Sequence, residues 1–274
     1  MIEGENYDIL FAKEEYKTII DELCDLITVK YYSKKKSGRP LKLEIINIVK
    51  AIIYVLKTGS QWYMIPKEFG NYSSIKKHYL KYVKDGTLNE LWYNKLNEYT
   101  YKRKGKMNNM LMDCTLIKSV AGHDMIGRNP CDRGRMGTKL SFLTDDKGIP
   151  LSVAVNGANV SDHKMMSDTF ANLKIKKKTK TNLYCDKGYS NKNAKRIANE
   201  NNYNLVCENK KNAKNKLFRK RKHSVNHIRY AIEAGIGWVK KFKRLTLRYN
   251  NKIVSYMGFI MIAFSIIIQR VKKS

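Results

Sequence analysis

No cysteine pair in this sequence has the spacing of a metal knuckle. The five cysteines (Cys24, Cys114, Cys131, Cys185 and Cys207) are odd in number and none forms a CxxC. That excludes a zinc ribbon or a disulfide framework and predicts a reducing compartment. Long apolar runs are also missing. The one candidate, Ile253 to Ile268, is interrupted by Ser255, Tyr256, Gly258 and Ser265 and falls short of the roughly 20 residues a bilayer span needs. It predicts a buried core helix and no membrane partner. The opening Met1-Ile-Glu-Gly-Glu is acidic and polar, unlike a signal peptide. Acid is scarce overall: 24 Asp+Glu stand against 54 Lys+Arg, for a formal net charge of +30 at pH 7. An excess of that size fits a polyanionic partner, and the phosphate backbone of nucleic acid is the usual one. A ribosomal or histone-like chain would be shorter and poorer in apolar residues than this one, at 274 residues and 43% hydrophobic.

Residues 1–100 read as helical. Apolar residues recur at helical spacing over 14–28 and again over Leu43–Leu56, where Gly59 stops the pattern. A basic loop carries Lys34-Lys35-Lys36 and Gly38-Arg39-Pro40. After a short segment holding Trp62, which suits either a packing anchor or a DNA contact, Ser73 reads as the N-cap of a helix running to Lys84. That helix turns Ile75, Tyr79 and Val83 inward and Lys76, Lys77 and Lys81 outward. The outline is that of a helix-turn-helix, which predicts DNA binding by residues 73–84.

Residues 101–109 are basic and aperiodic, which predicts a boundary between domains at 1–100 and 108–274. Beyond it the pattern turns to strands: Met110–Ile117, then Met136–Thr144 and Ile149–Val155 joined at Asp145-Asp146-Lys147-Gly148 as a hairpin. A helix capped at Ser161-Asp162, a strand ending at Asp186, a helix over 191–199 and a strand over 203–207 follow. The order predicts a mixed α/β domain around a central sheet. Asp162 reads as an N-cap, and nothing requires His163 as a ligand.

The last motif is Arg229-Tyr-Ala-Ile-Glu233-Ala-Gly-Ile-Gly-Trp-Val-Lys240. As a helix, at about 100° per residue, it places Arg229, Glu233 and Lys240 within about 40° of one another. Ile232, Ile236, Val239 and Phe242 fall on a separate apolar side. Read alone, the polar face is a solvated i,i+4 ion pair. Gly235 and Gly237 argue for more. Each costs about 1 kcal/mol relative to Ala inside a helix, which points to close approach by another large group. Asp113 and Asp186 each end a strand beside a cysteine, so that each acid can face an open site while Cys114 or Cys185 packs beneath. Two Asp and a helical Glu form a set of hard oxygen ligands suited to Mg²⁺ or Mn²⁺, and two such ions serve phosphodiester transfer.

These residues carry a family resemblance over nearly the whole chain. Gly38-Arg39-Pro40, Tyr54 to Gly59, Gln61-Trp62 and Phe69-Gly70, with Met112-Asp113-Cys-Thr, Asp132-Arg133-Gly134-Arg135-Met-Gly137-Thr138-Lys139, Asp186-Lys187-Gly188-Tyr189 and the R-x₃-E-x₆-K spacing, resemble DDE transposases of bacterial insertion sequences, in the IS-five group. The one departure is Asn226, where the wider pattern often has Tyr. The resemblance implies an RNase H-like catalytic domain with a mixed central sheet, preceded by an all-α helix-turn-helix-like domain. It implies metal-dependent cleavage and transfer of double-stranded DNA by a homo-oligomer in the cytoplasm, nucleoid-associated in a bacterium. Asp113, Asp186 and Glu233 would hold two Mg²⁺ (or Mn²⁺) ions, assisted by Arg229 and Lys240. Arg39, Lys76, Lys77, Lys81, Arg133, Arg135, Lys139 and Lys187 would touch DNA. The alternatives are a non-catalytic DNA-binding protein derived from a transposase, and a metal-dependent DNA nuclease.

Overall fold

The structure is a computed structural model, described here for residues 7–32, 43–103, 107–175, 180–209 and 226–271. Arg39 and the basic stretches around it and at 210–222 lie outside the described residues.

The chain opens with helices: α1 (Tyr7–Ala12), α2 (Glu14–Tyr32), α3 (Ile45–Thr58), α4 (Tyr72–Lys84) and α5 (Thr87–Lys102). Strands β1 (Asn109–Ser119), β2 (Gly127–Arg128), β3 (Met136–Asp145) and β4 (Pro150–Gly157) follow, then α6 (Met166–Ala171), β5 (Thr181–Cys185), α7 (Lys192–Glu200) and β6 (Tyr203–Val206). Helix α8 (Asn226–Lys240), the short α9 (Lys243–Thr246), β7 (Leu247–Arg248) and α10 (Ile253–Val271) complete the order.

Two compact units result, and the chain passes between them more than once. One unit comprises residues 1–96, 241–246 and 252–274; the other comprises 97–240 and 247–251. The C-terminal stretch, expected with the strands, packs instead among the N-terminal helices. The reason is the apolar run itself. Helix α10 is apolar around most of its circumference and needs cover on every side, which a sheet face alone does not give. It is the one described helix long and apolar enough to cross a membrane, yet Tyr256 through Ile268, apart from Met257, are buried against α2, α3, α4 and α9.

In the helical unit the Tyr79 ring stacks on Phe259 at 4.5 Å and its hydroxyl donates to the Ser255 carbonyl. Trp62 is a packing anchor, buried with its ring 5.3 Å from that of Tyr79. Gly59 ends α3 at φ +74°, with the backbone of Lys243 so near that a Cβ would stand 3.1 Å from it. The N-cap of α4 is Asn71, whose side chain accepts from the Ser73 and Ser74 amides, so Ser73 lies inside the first turn. Ile75, Tyr79 and Tyr82 form the buried face of α4, while Val83 is half-buried. Helix α5 reaches two residues into the stretch that read as aperiodic and ends at Lys102.

In the second unit the sheet runs β2-β3-β1-β5-β6, with β4 on β3 and β7 on β1. β1 is antiparallel to β3 and parallel to β5, and β5 is parallel to β6. This is the mixed five-stranded core β4-β3-β1-β5-β6 that an RNase H-like domain requires, and it agrees with the expected fold class. The helix expected from Ser161 to Leu173 is a 3₁₀ turn at Asp162–Met165 followed by α6.

Candidate active site

Register brings the first two acids together. β1 and β5 pair in parallel as far as Met112 opposite Cys185. The next residue on each strand is an aspartate, so Asp113 and Asp186 stand side by side where β5 leaves the sheet. Ligands of open α/β sheets bind beyond the carboxyl ends of parallel strands; Asp186 stands there, while Asp113 lies inside β1, where its pairing with β5 ends. Asp186 turns back to accept from the Gly188 N–H at 2.8 Å. A Cβ at Gly188 would stand 2.9 Å from that carboxylate oxygen, so the glycine keeps the carboxylate free of crowding.

Helix α8 supplies the third acid. Ile232, Ile236 and Val239 are buried as the apolar stripe predicts, and the helix packs on β1, β3 and β5. Its seat is the β3–β4 turn. Gly148 has φ +79°, and a Cβ on Gly235 would stand 2.2 Å from the Gly148 carbonyl oxygen. The close approach expected from the helix glycines is therefore made by this turn, at Gly235; around Gly237 there is open space. Asp145 fixes the turn. Fully buried, it accepts from the Lys147 and Ile149 amides at 3.0 and 2.9 Å and from the Tyr99 hydroxyl, with Arg103 3.4 Å away.

On the polar face of α8, Arg229 lies 3.7 Å from Asp113 and 3.7 Å from Glu233. One guanidinium thus links the strand acid to the helix acid. Asp113 is 21% exposed and Glu233 60%. Lys240 is exposed, about 10 Å along the helix axis from Glu233 at 1.5 Å per residue. Burial pushes the Asp113 carboxyl up to about 6; the Cys114 N–H, which it accepts at 2.8 Å, pulls the other way, Asp186 raises it, Arg229 lowers it and Asp162 raises it. Burial also pushes the Cys114 thiol up to about 12 and raises that of Cys185. Both thiols stay protonated at neutral pH, so oxygen is the ionic donor here. That donor chemistry fits a hard divalent cation, whose charge would relieve the desolvated Asp113. Among the described residues no three His, Cys, Asp or Glu side chains gather around one ion-sized space: Asp113 and Asp186 are neighbours, and Glu233 is held through Arg229.

The expected DNA contacts divide. Lys76, Lys77 and Lys81 are exposed on α4, with the Lys81 ammonium 3.5 Å over the Tyr31 ring. Arg133 and Arg135 are exposed, Arg135 lying 3.6 Å from Asp132. Lys187 lies 3.0 Å from Glu208. Lys139 is a correction: it is buried, and its ammonium donates to the Val160 carbonyl at 2.6 Å and Asp162 at 2.7 Å. Its place on a central strand, where alternate side chains point beneath the sheet, removes it from the surface. Asp162 makes no N-cap hydrogen bond; Ser161 holds the cap position. Sequence reading missed Asp145, Tyr99, Arg103 and Arg248, none of which has a local signal. Arg248, fully buried, donates to the Asp124 carbonyl at 2.7 Å and Thr138 Oγ1 at 2.8 Å, and pairs with the Asp124 carboxylate.

A mixed five-stranded core with two acids where its β1–β5 pairing ends and a third on the last helix of the unit is the arrangement expected of a DDE-type nucleic-acid enzyme. Sequence comparison agrees. Residues 108–268 match the "Transposase DDE domain" family, and residues 21–92 match the family described as "Putative transposase of IS4/5 family". The chain belongs to the transposase DDE domain family, and it is a DNA transposase of the bacterial insertion-sequence type. It is 24% identical over 155 residues to the "Putative transposase for insertion sequence element IS402" of Burkholderia cepacia, covering 53% of this chain and 69% of that protein. Among solved structures, the piggyBac transposase synaptic complex with hairpin DNA matches with TM-score 0.46 and 10% identity, over 97% of this chain and 74% of that one. The Mos1 strand transfer complex matches with TM-score 0.28 and 10% identity, over 84% of this chain and 78% of that one. Family membership rests on the sequence match.

Proposed function

We propose that this transposase cuts a phosphodiester at each end of its element and joins the freed ends to target DNA through Asp113, Asp186 and Glu233. The observation that carries this reading is that Asp113 and Asp186 directly follow the last parallel β1–β5 pair, Met112 with Cys185, with Arg229 linking Asp113 to Glu233. In the first step water attacks the phosphorus and a 3′-oxygen leaves. In the second, that 3′-hydroxyl attacks a target phosphodiester, forming one P–O bond as the target's own 3′-oxygen departs.

Asp113, Asp186 and Glu233 would hold divalent cations, Mg²⁺ or Mn²⁺. Such ions lower the pKa of the attacking oxygen and neutralise charge on the leaving one. The chain's own residues do the rest. The Cys114 and Gly188 amides aim the two aspartates, and the buried α8 stripe sets the height of Glu233. Arg229 is a positioning residue that keeps Asp113 ionised and turns Glu233 toward it. Lys240, Arg133, Arg135 and Lys187 supply positive charge for backbone phosphates. The helical unit, with Lys76, Lys77 and Lys81 on α4, recognises the ends. Bridging two ends requires at least two copies, acting in the cytoplasm on chromosomal DNA.

The test uses DNA carrying the flanks of the gene, with Mg²⁺, and compares wild type with Asp186→Asn. The expected result is cutting and joining at defined ends by wild type, while the variant binds and does neither. Equal activity in both proteins would overturn the assignment of Asp186.

A further inference from the structure

Beside the acids lies an open cleft of about 700 Å³, lined by Asp162, His163, Gly188, Asn191, Lys192 and Asn193, among others. It belongs wholly to the sheet-bearing unit. Its wall meets the acid site directly, because the Gly188 amide donates to Asp186 and Asp162 is close enough to act on the charge of Asp113. Its size falls within the roughly 300–1,000 Å³ of small-ligand sites, which is room for a nucleotide unit.

The charges of the lining are not balanced within the protein. Asp162, its carboxylate, is held at 2.7 Å by Lys139. The cations that flank the acid site are matched to acids: Lys187 with Glu208 at 3.0 Å, and Arg229 with Asp113 and Glu233. Lys192 and His163 have no carboxylate partner among the described residues. The cleft therefore offers an ammonium, an imidazole and the amide of Asn193 as donors, with its one acid already neutralised. That donor set suits a singly charged phosphodiester oxygen.

We propose that this cleft seats a backbone phosphate of the DNA strand a few nucleotides from the bond being cut, with Lys192 as its charged contact and His163 as a hydrogen-bond donor. The proposal rests on the transposase reading and adds a binding subsite to it. Its role is to hold the strand in register against Asp186, so that a neighbouring phosphate falls beside the acids.

The experiment is a cycle between side chain and phosphate. Duplexes carrying the gene's flanking DNA are made with a neutral methylphosphonate at one backbone position at a time, on either side of the cleavage point. Binding by wild type, Lys192→Gln, the His163→Gln/Lys192→Gln pair and Lys192→Arg is measured without divalent metal, so nothing is cut. The expected result is that wild type loses about tenfold in affinity at one position. The Gln variants bind about tenfold more weakly on unmodified DNA and lose nothing further at that position, while Lys192→Arg keeps the wild-type sensitivity. Lys192 is exposed, and melting curves of the variants are expected to match wild type. Additive losses at every position, or unchanged binding by the paired variant, would overturn the proposal. Cleavage in Mg²⁺ is scored separately with Asp186→Asn, so loss of the acid assignment and loss of the subsite give different results.

Discussion

Gly148 and Gly235 touch backbone to backbone: a Cβ on Gly235 would stand 2.2 Å from the Gly148 carbonyl oxygen, and one on Gly148 would stand 2.1 Å from the Ala231 carbonyl. The β3–β4 turn thereby fixes the depth of α8 on the sheet and the reach of Glu233. Gly235→Ala is expected to destabilise the protein by roughly 2 kcal/mol or more, because neither backbone can yield without moving the helix. Gly237→Ala, facing open space, is expected to be neutral or stabilising by up to about 1 kcal/mol through helix propensity. Urea titration of the two variants checks the contrast.

The Asp113 carboxyl makes a prediction about pH in metal-free protein. Its folded value, about 6, lies above the ordinary 3.8. Between those values the folded state holds the proton more tightly than the unfolded chain. Stability from this group is therefore greatest below about pH 4 and declines as pH rises through 6. Asp113→Asn removes the decline. The variant is expected to be more stable than wild type by roughly 2 to 3 kcal/mol at pH 7.5 in EDTA, with the gain vanishing near pH 4. Thermal melts at a series of pH values measure it; a gain independent of pH would contradict the burial of the charged form.

Much of the acid site was legible in the sequence, because strand ends and helical spacing are local properties. Asp186 was readable from the apolar run it terminates, Asp113 from its place within one, and Arg229 with Glu233 from their i,i+4 spacing. What holds those residues in place was not readable. Asp145 finds Tyr99 on a helix 46 positions earlier, and Lys139 finds Asp162 23 positions later. Such pairs exist only once strands and helices have packed. Lys139 illustrates the cost of reading charge alone, since a lysine in a basic hairpin looks the same whether it points out or under the sheet. The packing partners of helix α10 were not readable for a related reason: hydrophobicity says that a segment is buried, not against what.

Arg248 is expected to be among the most sensitive positions outside the acid site. It is fully buried and holds Asp124, Thr138 and the Asn250 carbonyl through one guanidinium. Arg248→Ala leaves several carbonyl oxygens without a donor, and a loss of about 3 to 5 kcal/mol is expected. Hydrogen exchange should show the release first at residues 120–126, where Val120 and His123 donate to the Arg248 and Asn251 carbonyls.

For α4 the prediction concerns salt. Each lysine on a phosphate contributes about 0.9 to the slope of log affinity against log salt. Replacing Lys76 and Lys77 together by Ala is expected to flatten the slope by about 2 and to weaken binding to element ends without unfolding the helix. Filter binding from about 50 to about 300 mM NaCl reads it directly. An unchanged slope would move DNA contact away from this face.

Helix α10 has a consequence for synthesis. A ribosome makes α1 to α4 long before the helix that fills the space between them. Until residues 253–271 emerge, the nascent chain keeps the apolar faces of α2, α3 and α4 without their last partner. The helical unit therefore matures only after the sheet has been translated. A message cut short would yield a product with its acids in place and its helices unsealed, a target for chaperones and proteases rather than a free nuclease.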